Sequence, residues 1–190
     1  MSDLIEIRWH SRGGQGAMVA VRTLARAVIK DNKYAQGLPE FGPERMGAPI
    51  KAYNRFSTQP FSLYCRIVNP HVVVLLDPSV AKIVDVTEGI YDDSKLLVNV
   101  CLPPQEVRER LKLKNGKIYT VDATRIAQET LGRPMPNTPM MGALIKLVPV
   151  ISLEVLLNEV VGEFIGKCSP GIVEANLAAI KRGFEEVSEE

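Results

Sequence analysis

The chain contains 190 residues, of which 46% are hydrophobic and 24% are charged, so it is long and apolar enough to bury one globular core. Its 23 basic residues nearly cancel 22 acidic ones, and a net charge of +1 excludes the concentrated basic surface typical of nucleic-acid-binding proteins. Three cysteines, far apart and without a CxxC pair, exclude a disulfide framework and a metal or cluster site, and predict small buried thiols in a reducing cytoplasm.

No segment predicts export or membrane insertion. The N-terminus lacks the basic stretch and following apolar run of a secretory signal. The most apolar stretch, residues 143–157, is interrupted by Lys146, Pro149 and Glu154, and it falls short of the roughly 18–20 apolar residues that span a bilayer. We therefore expect a cytoplasmic protein that does not bind a membrane.

The first part of the chain predicts a strand, a glycine-rich turn and a helix. Residues 4–9 alternate as a strand does, and apolar side chains from Met18 to Val28 recur at helical spacing. The turn between them consists of Ser11, Arg12, Gly13, Gly14, Gln15 and Gly16. Glycines here let a phosphate approach the helix N-terminus, which indicates an anion or ligand cradle, although tight packing of helix on sheet would explain them equally well.

This turn does not complete a dinucleotide-binding signature. If GxGxxG begins at Gly14, Val19 holds the third glycine position, and no acidic residue stands about 20 residues further on, in the region of Tyr34. A GxxxxGK[ST] phosphate loop is also missing from the sequence. Independent NAD binding is therefore disfavoured.

Two histidines are the candidate bases. His10 ends the first strand beside the glycine turn, where it could face a ligand, whereas His71 precedes a buried run and is predicted to lie at a strand edge. No GxSxG motif accompanies either residue. The sequence therefore predicts no hydrolytic triad, and we assign neither histidine a catalytic role.

A segment rich in glycine and proline extends from Gly37 to Pro49, and its three prolines and three glycines exclude a regular element. It carries the charged residues Glu40, Glu44 and Arg45. A solvated loop with weak ion pairs would explain these charges, but so much glycine and proline fixes a conformation, and fixed loops above a sheet commonly carry sites. Arg45 is the best candidate for binding a carboxylate, a phosphate or an acidic group of a partner, because a guanidinium donates bidentately.

The rest of the chain alternates strands with helices. Residues 72–76 form the continuous apolar run of a strand buried on both faces, and Asp77-Pro78 suits a helix start. Further strands are predicted at 50–56, 95–100 and 117–121, and further helices at 103–112, 124–131, 140–147, 153–164 and from Ser169-Pro170 to 187. The pattern predicts one α/β domain over residues 1–190, a Rossmann-like, mostly parallel sheet with helices on both faces and C-terminal amphipathic helices.

Six motifs follow one another along nearly the whole chain, at residues 7–16, 39–49, 54–55, 69–70, 121–124 and 137–143. Their sequences are IRWHSRGGQG, PEFGPERMGAP, NR, NP, VDAT and NTPMMGA. Each motif alone is modest, but in this order they resemble the gamma subunits of pyruvate and related 2-oxoacid:ferredoxin oxidoreductases.

The resemblance implies a place in a larger enzyme. In this family thiamine diphosphate with Mg²⁺ attacks the oxo carbon, [4Fe–4S] clusters pass electrons to ferredoxin, and coenzyme A accepts the acyl group. The resemblance implies alpha, beta and ferredoxin-like delta subunits as partners, with the thiamine cofactor between alpha and beta. The chain is expected to hold no cofactor alone, to be inactive in isolation, and to contribute to the coenzyme A step and to assembly.

The resemblance also implies which residues face coenzyme A or other subunits, without dividing them between these two roles. They are Ser11, Arg12, Gly13, Gly14, Gln15, Gly16, Glu40, Arg45, Gly47, Asn137 and Thr138. No residue matches a thiamine, metal or cluster ligand, and none is assigned a catalytic role.

Two other functions are compatible with the residues. One is a self-sufficient, Rossmann-type nucleotide-binding oxidoreductase, against which the incomplete glycine signature argues. The other is a purely structural subunit that binds no ligand. As to substrate, the 39–49 segment resembles pyruvate-type or branched-chain-type members more than 2-oxoglutarate-type ones.

Overall fold

The computed structural model of the protein describes residues 3–40, 47–164, 166 and 168–190. The strands are β1 (Ile5–Arg12), β2 (Tyr34–Pro39), β3 (Pro49–Ser57), β4 (Val72–Leu75), β5 (Lys95–Asn99), β6 (Lys117–Val121) and β7 (Ser188–Glu189). The helices are α1 (Ala17–Lys30), α2 (Pro104–Leu111), α3 (Ala123–Leu131), α4 (Asn137–Leu147), α5 (Leu153–Phe164) and α6 (Pro170–Glu185), with a 3₁₀ helix at Pro78–Lys82. Within these described ranges, every helix is too short or too polar to cross a membrane.

The strands form one sheet in the order β2-β3-β1-β4-β5-β6-β7. The neighbours β1, β4, β5 and β6 are parallel, β3 runs antiparallel between β1 and β2, and β7 is antiparallel to β6. All strands except β3 and β7 therefore point the same way, which confirms the predicted mostly parallel, Rossmann-like sheet. The parallel strands bring their carboxyl ends to one edge, where open α/β sheets place their ligands.

Helices cover both faces of this sheet, as predicted. Val72 and Val74 of β4 pack into a core that includes α1, α3, α4, α5 and α6. Val73 and Leu75 point the other way, into a smaller core with α2 and the 3₁₀ helix. Because successive strand residues face opposite sides, a strand covered twice needs an unbroken apolar run.

On one face of β1 and β3, the covering segment is coil and not helix, and two buried arginines hydrogen-bond to its carbonyl groups. Arg8 and Arg55 are each 1% exposed. The Arg8 guanidinium donates to the carbonyls of Val86, at 3.3 Å, and of Glu88, while Arg55 donates to the carbonyl of Cys65 at 2.8 Å. Alternation along a strand gives no sign of this, since it places both arginines on a face that would otherwise be read as solvent-exposed.

The prediction that Gly37 to Pro49 contains no regular element is wrong at both ends, because Gly37, Leu38 and Pro39 belong to β2 and Pro49 begins β3. The strand lies at the edge of the sheet and pairs with β3 alone, so the missing N–H of Pro39 is tolerated. A side chain at Gly37 would place its Cβ 2.9 Å from the Val21 carbonyl oxygen. Glycine is therefore needed for α1 to pack closely against this strand, and not to break it.

The prediction of buried thiols is also wrong. Cys65 and Cys101 are exposed, and Cys168 is partly exposed. Cys65 belongs to the coil that Arg55 holds by its carbonyl, and Cys101 follows the end of β5. Cysteine is often buried, but the side of a coil on which it lies is set by tertiary contacts that composition does not contain.

The helix α4 begins at Asn137, three residues before the predicted start at Met140. Asn137 and Thr138 therefore lie in its first turn, and not in the connection before it. Pro136 precedes the helix, and Pro139 is accommodated because the first helical N–H groups have no intrahelical partner. This shift matters for the site, because it fixes two of its predicted residues to a buried helix.

Two predicted helix starts differ in their capping. The Asp77 carboxylate accepts a hydrogen bond from the Ser79 N–H at 2.8 Å, and the residues after it form the 3₁₀ helix. Ser169 precedes α6, but its side chain makes no capping hydrogen bond. Its carbonyl accepts from the Ile172 N–H at 3.0 Å instead. Of the two predicted start signals, the Ser169 cap is therefore not formed, whereas Pro170 does lie in the first turn.

Candidate functional site

The glycine turn lies at the carboxyl end of β1, at the edge of the sheet where ligands are expected. β1 continues to Arg12, and α1 starts at Ala17. Between them Gly14 and Gly16 have φ values of 96° and 81°. These left-handed conformations are easy for glycine and strained for other residues, so the turn requires both glycines for its shape whether or not it binds a ligand.

The Gln15 side chain pins this turn to the neighbouring strand. Its Oε1 accepts from the Arg12 N–H at 2.8 Å and from the Ser11 hydroxyl at 3.0 Å. Its Nε2 donates to Oδ2 of Asp77 at 2.8 Å, just beyond the end of β4. The predicted residues Ser11, Arg12 and Gln15 are thus brought together with Asp77, which the sequence indicated only as a helix start.

The Arg12 charge is matched within the chain. Its Nε donates to the Ser79 hydroxyl at 2.9 Å and lies 3.4 Å from Oδ2 of Asp77, while Nη1 donates to the Gly47 carbonyl at 2.8 Å. Burial alone would raise the pKa of Asp77, but hydrogen bonds from Ser79 and Gln15 and the Arg12 charge outweigh it and lower that pKa. Asp77 is therefore ionised at neutral pH, and a ligand at the turn meets backbone rather than an uncompensated guanidinium.

The segment rich in glycine and proline returns to the turn at Gly47. The Gly47 N–H donates to the Gly13 carbonyl at 3.1 Å, and the Gly13 N–H donates to the Ala48 carbonyl at 2.9 Å. Gly47 has a φ of 90°, a conformation that favours glycine, and a Cβ there would meet no atom of the described residues within 4 Å. Gly47 therefore joins the same site as Gly13, as the resemblance implies.

Glu40 points elsewhere. Its carboxylate accepts from the Tyr53 hydroxyl and pairs with Arg66 at 2.7 Å, neither of which belongs to the turn. Burial, followed by the bond to Glu40, raises the pKa of Tyr53. The predicted residue Arg45 lies outside the described residues, as does Glu44.

The start of α4 contacts the glycine turn directly. A Cβ on Gly16 would lie 2.6 Å from Cγ of Asn137, so the Asn137 side chain packs directly against the Gly16 backbone. The two motifs are 121 positions apart in the sequence. Next to Asn137, the Thr138 hydroxyl donates to Oδ1 of Asn176 at 3.3 Å. All three polar side chains are 5–6% exposed and line a cavity of about 220 Å³ between α1, α4, α5 and α6. Asn176 was not among the predicted site residues, and only its place on α6 reveals it.

Neither histidine is presented to this site. His10 is fully buried, and its Nε2 accepts from Nε of Arg8 at 3.0 Å. Burial, together with the charges of Arg8 and Lys51, lowers the pKa of His10 to about 3, so the imidazole is neutral. His71 lies at the amino end of β4, where its Nδ1 accepts from the Glu6 N–H, in agreement with the strand-edge prediction.

The described ranges bring together no group of three or more histidine, cysteine, aspartate or glutamate side chains that could hold a metal ion. The polar groups of the site are instead backbone amides, carboxamides and hydroxyls around one internal ion pair. Such an arrangement can bind and orient a ligand or a partner, but among the described residues it contains no nucleophile with an adjacent base.

Comparison with known proteins agrees with the motifs. The family model for pyruvate ferredoxin/flavodoxin oxidoreductase matches residues 6–186. The chain is 43% identical to the pyruvate/ketoisovalerate oxidoreductases common subunit gamma of Thermococcus kodakarensis, over 95% of this chain and 96% of that protein. It is 41% identical to the pyruvate synthase subunit PorC of Thermotoga maritima, over 96% and 94% of the two chains.

The fold gives the same result. The crystal structure of the pyruvate oxidoreductase subunit PORC from Thermotoga maritima superposes with a TM-score of 0.88, at 38% identity and covering 99% of each chain. The predicted resemblance to gamma subunits is thereby confirmed, and the chain belongs to the pyruvate ferredoxin/flavodoxin oxidoreductase family.

Proposed function

We propose that this chain is the gamma subunit of a complex that oxidatively decarboxylates pyruvate or a related 2-oxoacid to an acyl-CoA, with ferredoxin as electron acceptor. The observation that carries the proposal is the similarity, over nearly the full length of both chains, to subunits named for pyruvate and ketoisovalerate oxidoreductases. Its partners are then alpha, beta and ferredoxin-like delta subunits in the cytoplasm.

The cofactors of the reaction are assigned to those partners. A [4Fe–4S] cluster takes four cysteine thiolates, and this sequence contains three cysteines, far apart. Among the residues that the structure describes, the site around the glycine turn offers no carboxylate other than Asp77, which is already bound by Arg12, Gln15 and Ser79. Thiamine diphosphate with Mg²⁺ does not fit residues of this kind, so we route no chemical step through this chain.

The contribution proposed for the chain is positioning. The glycine turn, Gly47 and Asn137 form one cluster of contacting residues at the carboxyl edge of the sheet, held by hydrogen bonds and by close packing. Exposed backbone N–H groups at a helix N-terminus are suited to an acidic group, such as a phosphate of coenzyme A or a carboxylate of a partner. The site therefore supports both roles implied by the resemblance, binding of coenzyme A and contact with another subunit.

The proposal is tested by co-expressing the alpha, beta and delta subunits with and without this chain. We expect a stable complex with 2-oxoacid-dependent dye reduction and acyl-CoA formation only when the chain is present. A complex that assembles without it and forms acyl-CoA at the full rate would contradict the proposal. Calorimetry with NAD(P) on the chain alone tests the nucleotide-binding alternative, for which we expect no saturable heat.

A further inference from the structure

The two edge strands of the sheet differ in how they are protected from pairing with other chains. β7 has only two residues, and one of them is the charged Glu189. β2, at the opposite edge, has six residues, YAQGLP, and none of them is charged. Natural sheets usually protect an edge with a short strand or with charged side chains, because an open edge adds strands from other chains. By these criteria β2 is the open edge of this sheet.

The pairing of β2 with β3 fixes which backbone groups of β2 face outwards. The Glu40 N–H, just after β2, donates to the Lys51 carbonyl at 3.0 Å. In an antiparallel ladder every second residue makes such bonds, so the residues of β2 that face away from β3 are Ala35, Gly37 and Pro39. Proline has no N–H, and the outward donors are therefore those of Ala35 and Gly37. Both residues are partly exposed, and within the described ranges no hydrogen bond uses either N–H group.

Exposed apolar side chains lie beside this edge. Tyr34, the first residue of β2, is 45% exposed. Nη1 of Arg55 lies 3.4 Å from Oε1 of Gln36 and 3.4 Å from the Leu63 carbonyl oxygen, so the coil around Leu63 is next to the middle of β2. Leu63 is 37% exposed and the following Tyr64 is 84% exposed. Apolar groups clustered beside an open strand edge are typical of a surface that associates with another chain.

The outward groups of β2 complement a second copy of the same strand. If two β2 strands run antiparallel about a twofold axis at Gln36, Ala35 of each copy lies opposite Gly37 of the other. The two residues of such a pair exchange both N–H···O bonds, so each outward donor of β2 finds an acceptor. In this register Pro39 lies opposite Lys33, before the start of β2, so its missing N–H falls outside the paired residues.

The side chains and the charge agree with this register. Tyr34 of one copy lies opposite Leu38 of the other, so the pairing covers apolar surface that is exposed in the single chain. Gln36 lies opposite Gln36 of the second copy, and no like charges oppose each other along β2. The net charge of +1 gives little repulsion between two copies.

We propose that β2 pairs with β2 of a second copy of this chain, antiparallel and centred on Gln36, so that two sheets become one continuous sheet. The pairing uses a side edge of the sheet and not the carboxyl edge, where the glycine turn lies. In the complex proposed above it would join two gamma subunits, but the inference does not rest on that function.

Sedimentation of the full chain over a range of concentrations measures the pairing. Ala35→Pro removes an outward N–H and leaves the bonds between β2 and β3 in place, and we expect it to raise the dissociation constant of the dimer at least about tenfold. Ala35→Ser is the matched control, because it keeps the N–H and a small side chain, and we expect less than about a twofold change. Circular dichroism checks that both variants are folded.

Cysteine cross-linking tests the register without relying on the proline variant. The native cysteines are first replaced by serine, since two of them are exposed. Gln36→Cys then places two thiols in a non-hydrogen-bonded pair, whose Cα atoms lie about 4.5 Å apart, within the range of a disulfide. We expect a covalent dimer on mild oxidation. Tyr34→Cys is the control, because Tyr34 lies opposite Leu38 and roughly 13 Å from its own copy, and it should not cross-link.

The proposal is overturned if the chain stays monomeric at every concentration, or if Ala35→Pro and Ala35→Ser dimerise equally. Cross-linking of Tyr34→Cys to the same extent as Gln36→Cys overturns the register. The cross-linking is repeated in the complex with alpha, beta and delta subunits. A thiol introduced at Gln36 that links to another subunit there, and not to a second copy, also overturns the proposal. The proposed function is tested separately, by acyl-CoA formation with and without the chain.

Discussion

The Gln15 side chain accepts hydrogen bonds from groups at the end of β1, where the backbone turns. Its amide satisfies the Arg12 N–H and the Ser11 hydroxyl on one side and reaches Asp77 on the other. Because it spans two strands, it couples the shape of the glycine turn to the ionised carboxylate beyond β4. A residue that the sequence shows only as a polar spacer between glycines therefore has a structural reason to be an amide.

We expect Gln15→Ala to lower the free energy of unfolding by about 1–3 kcal/mol, because a partly buried N–H loses its acceptor and Asp77 loses a donor. The same change should raise the pKa of Asp77, which NMR titration of its carboxyl group measures. Urea unfolding gives the stability. Gln59→Ala is the control, since Gln59 is exposed, and it should change stability by less than about 0.5 kcal/mol. Equal losses in the two variants would contradict the role given to Gln15.

Among the elements, α4 and α6 cross where each helix has a glycine packed against the backbone of the other helix. A Cβ on Gly142 would lie 2.0 Å from the Ile180 carbonyl oxygen, and one on Gly183 would lie 2.0 Å from the Pro139 carbonyl oxygen. Backbone cannot move aside as a side chain can, so both positions exclude any larger residue. This crossing holds Asn137 and Asn176, on the two helices, against the same cavity.

Gly183→Ala should therefore destabilise the protein by about 1–3 kcal/mol, because the added methyl forces the two helices apart. Thermal unfolding measures the loss. The matched control is Gly171→Ala on the same helix, where a Cβ meets no atom within 4 Å and helix propensity favours alanine by up to about 1 kcal/mol. The prediction is wrong if both variants shift the unfolding temperature in the same direction.

A buried carboxylate fixes α5 to α1. Glu159 is 3% exposed, accepts from Arg26 at 2.8 Å and lies 2.5 Å from Nζ of Lys30. Burial alone would raise the pKa of Glu159, but the bonds from Lys30 and Arg26 outweigh it and lower that pKa. A depressed folded-state pKa gives stability that is present above the unfolded value, near 4.5, and is lost as the pH falls through the folded value.

The corresponding test is Glu159→Gln, which should lower the free energy of unfolding by about 1–2 kcal/mol at pH 7, since both cations are partly exposed. The difference from the wild type should shrink as the pH falls below the unfolded value of 4.5 and through the lower folded pKa. Urea unfolding from about pH 3 to about pH 7, an interval that contains the usual glutamate pKa of about 4.3, checks this. Glu154→Gln, on the exposed side of the same helix, should show little of either effect, and a pH-independent difference for Glu159→Gln would refute the assignment.

For the whole molecule, the proposed function makes the chain one subunit of a complex, in which the described residues of the site bind a ligand or a partner. The relative in Thermococcus kodakarensis is named as a subunit common to pyruvate and ketoisovalerate oxidoreductases. If this chain also positions coenzyme A without contacting the oxoacid, the choice of oxoacid belongs to its partners.

We therefore expect this chain to support turnover with the alpha, beta and delta subunits of either a pyruvate-type or a branched-chain-type enzyme. The ratio of kcat/KM for pyruvate to that for 2-oxoisovalerate should follow the partner subunits, and should be unchanged, within about twofold, when the gamma subunit is exchanged. Steady-state assays with the exchanged complexes measure this. A specificity ratio that follows the gamma subunit would show that this chain reads the substrate.

Prediction from the sequence succeeded where the signal is local. The unbroken run at 72–76 identified the doubly covered β4, and the glycine turn was correctly placed between β1 and α1. The prediction failed where glycine and proline serve a contact between distant elements and do not mark a local turn. Gly37 and Pro39 indicated a break, yet they sit in an edge strand whose glycine admits α1.

The sequence by itself determined the α/β class, the order of the strands and helices apart from β2 and β7, and the family, because periodicity and motif order do not depend on coordinates. Only the tertiary structure decided that Asp77 completes the turn, that Glu40 contacts Tyr53, and that Asn137 lies against Gly16. These contacts join segments far apart in the chain, and their geometry depends on how helices cross over the sheet. The sequence therefore locates the glycine turn, and the tertiary structure shows which residues contact it.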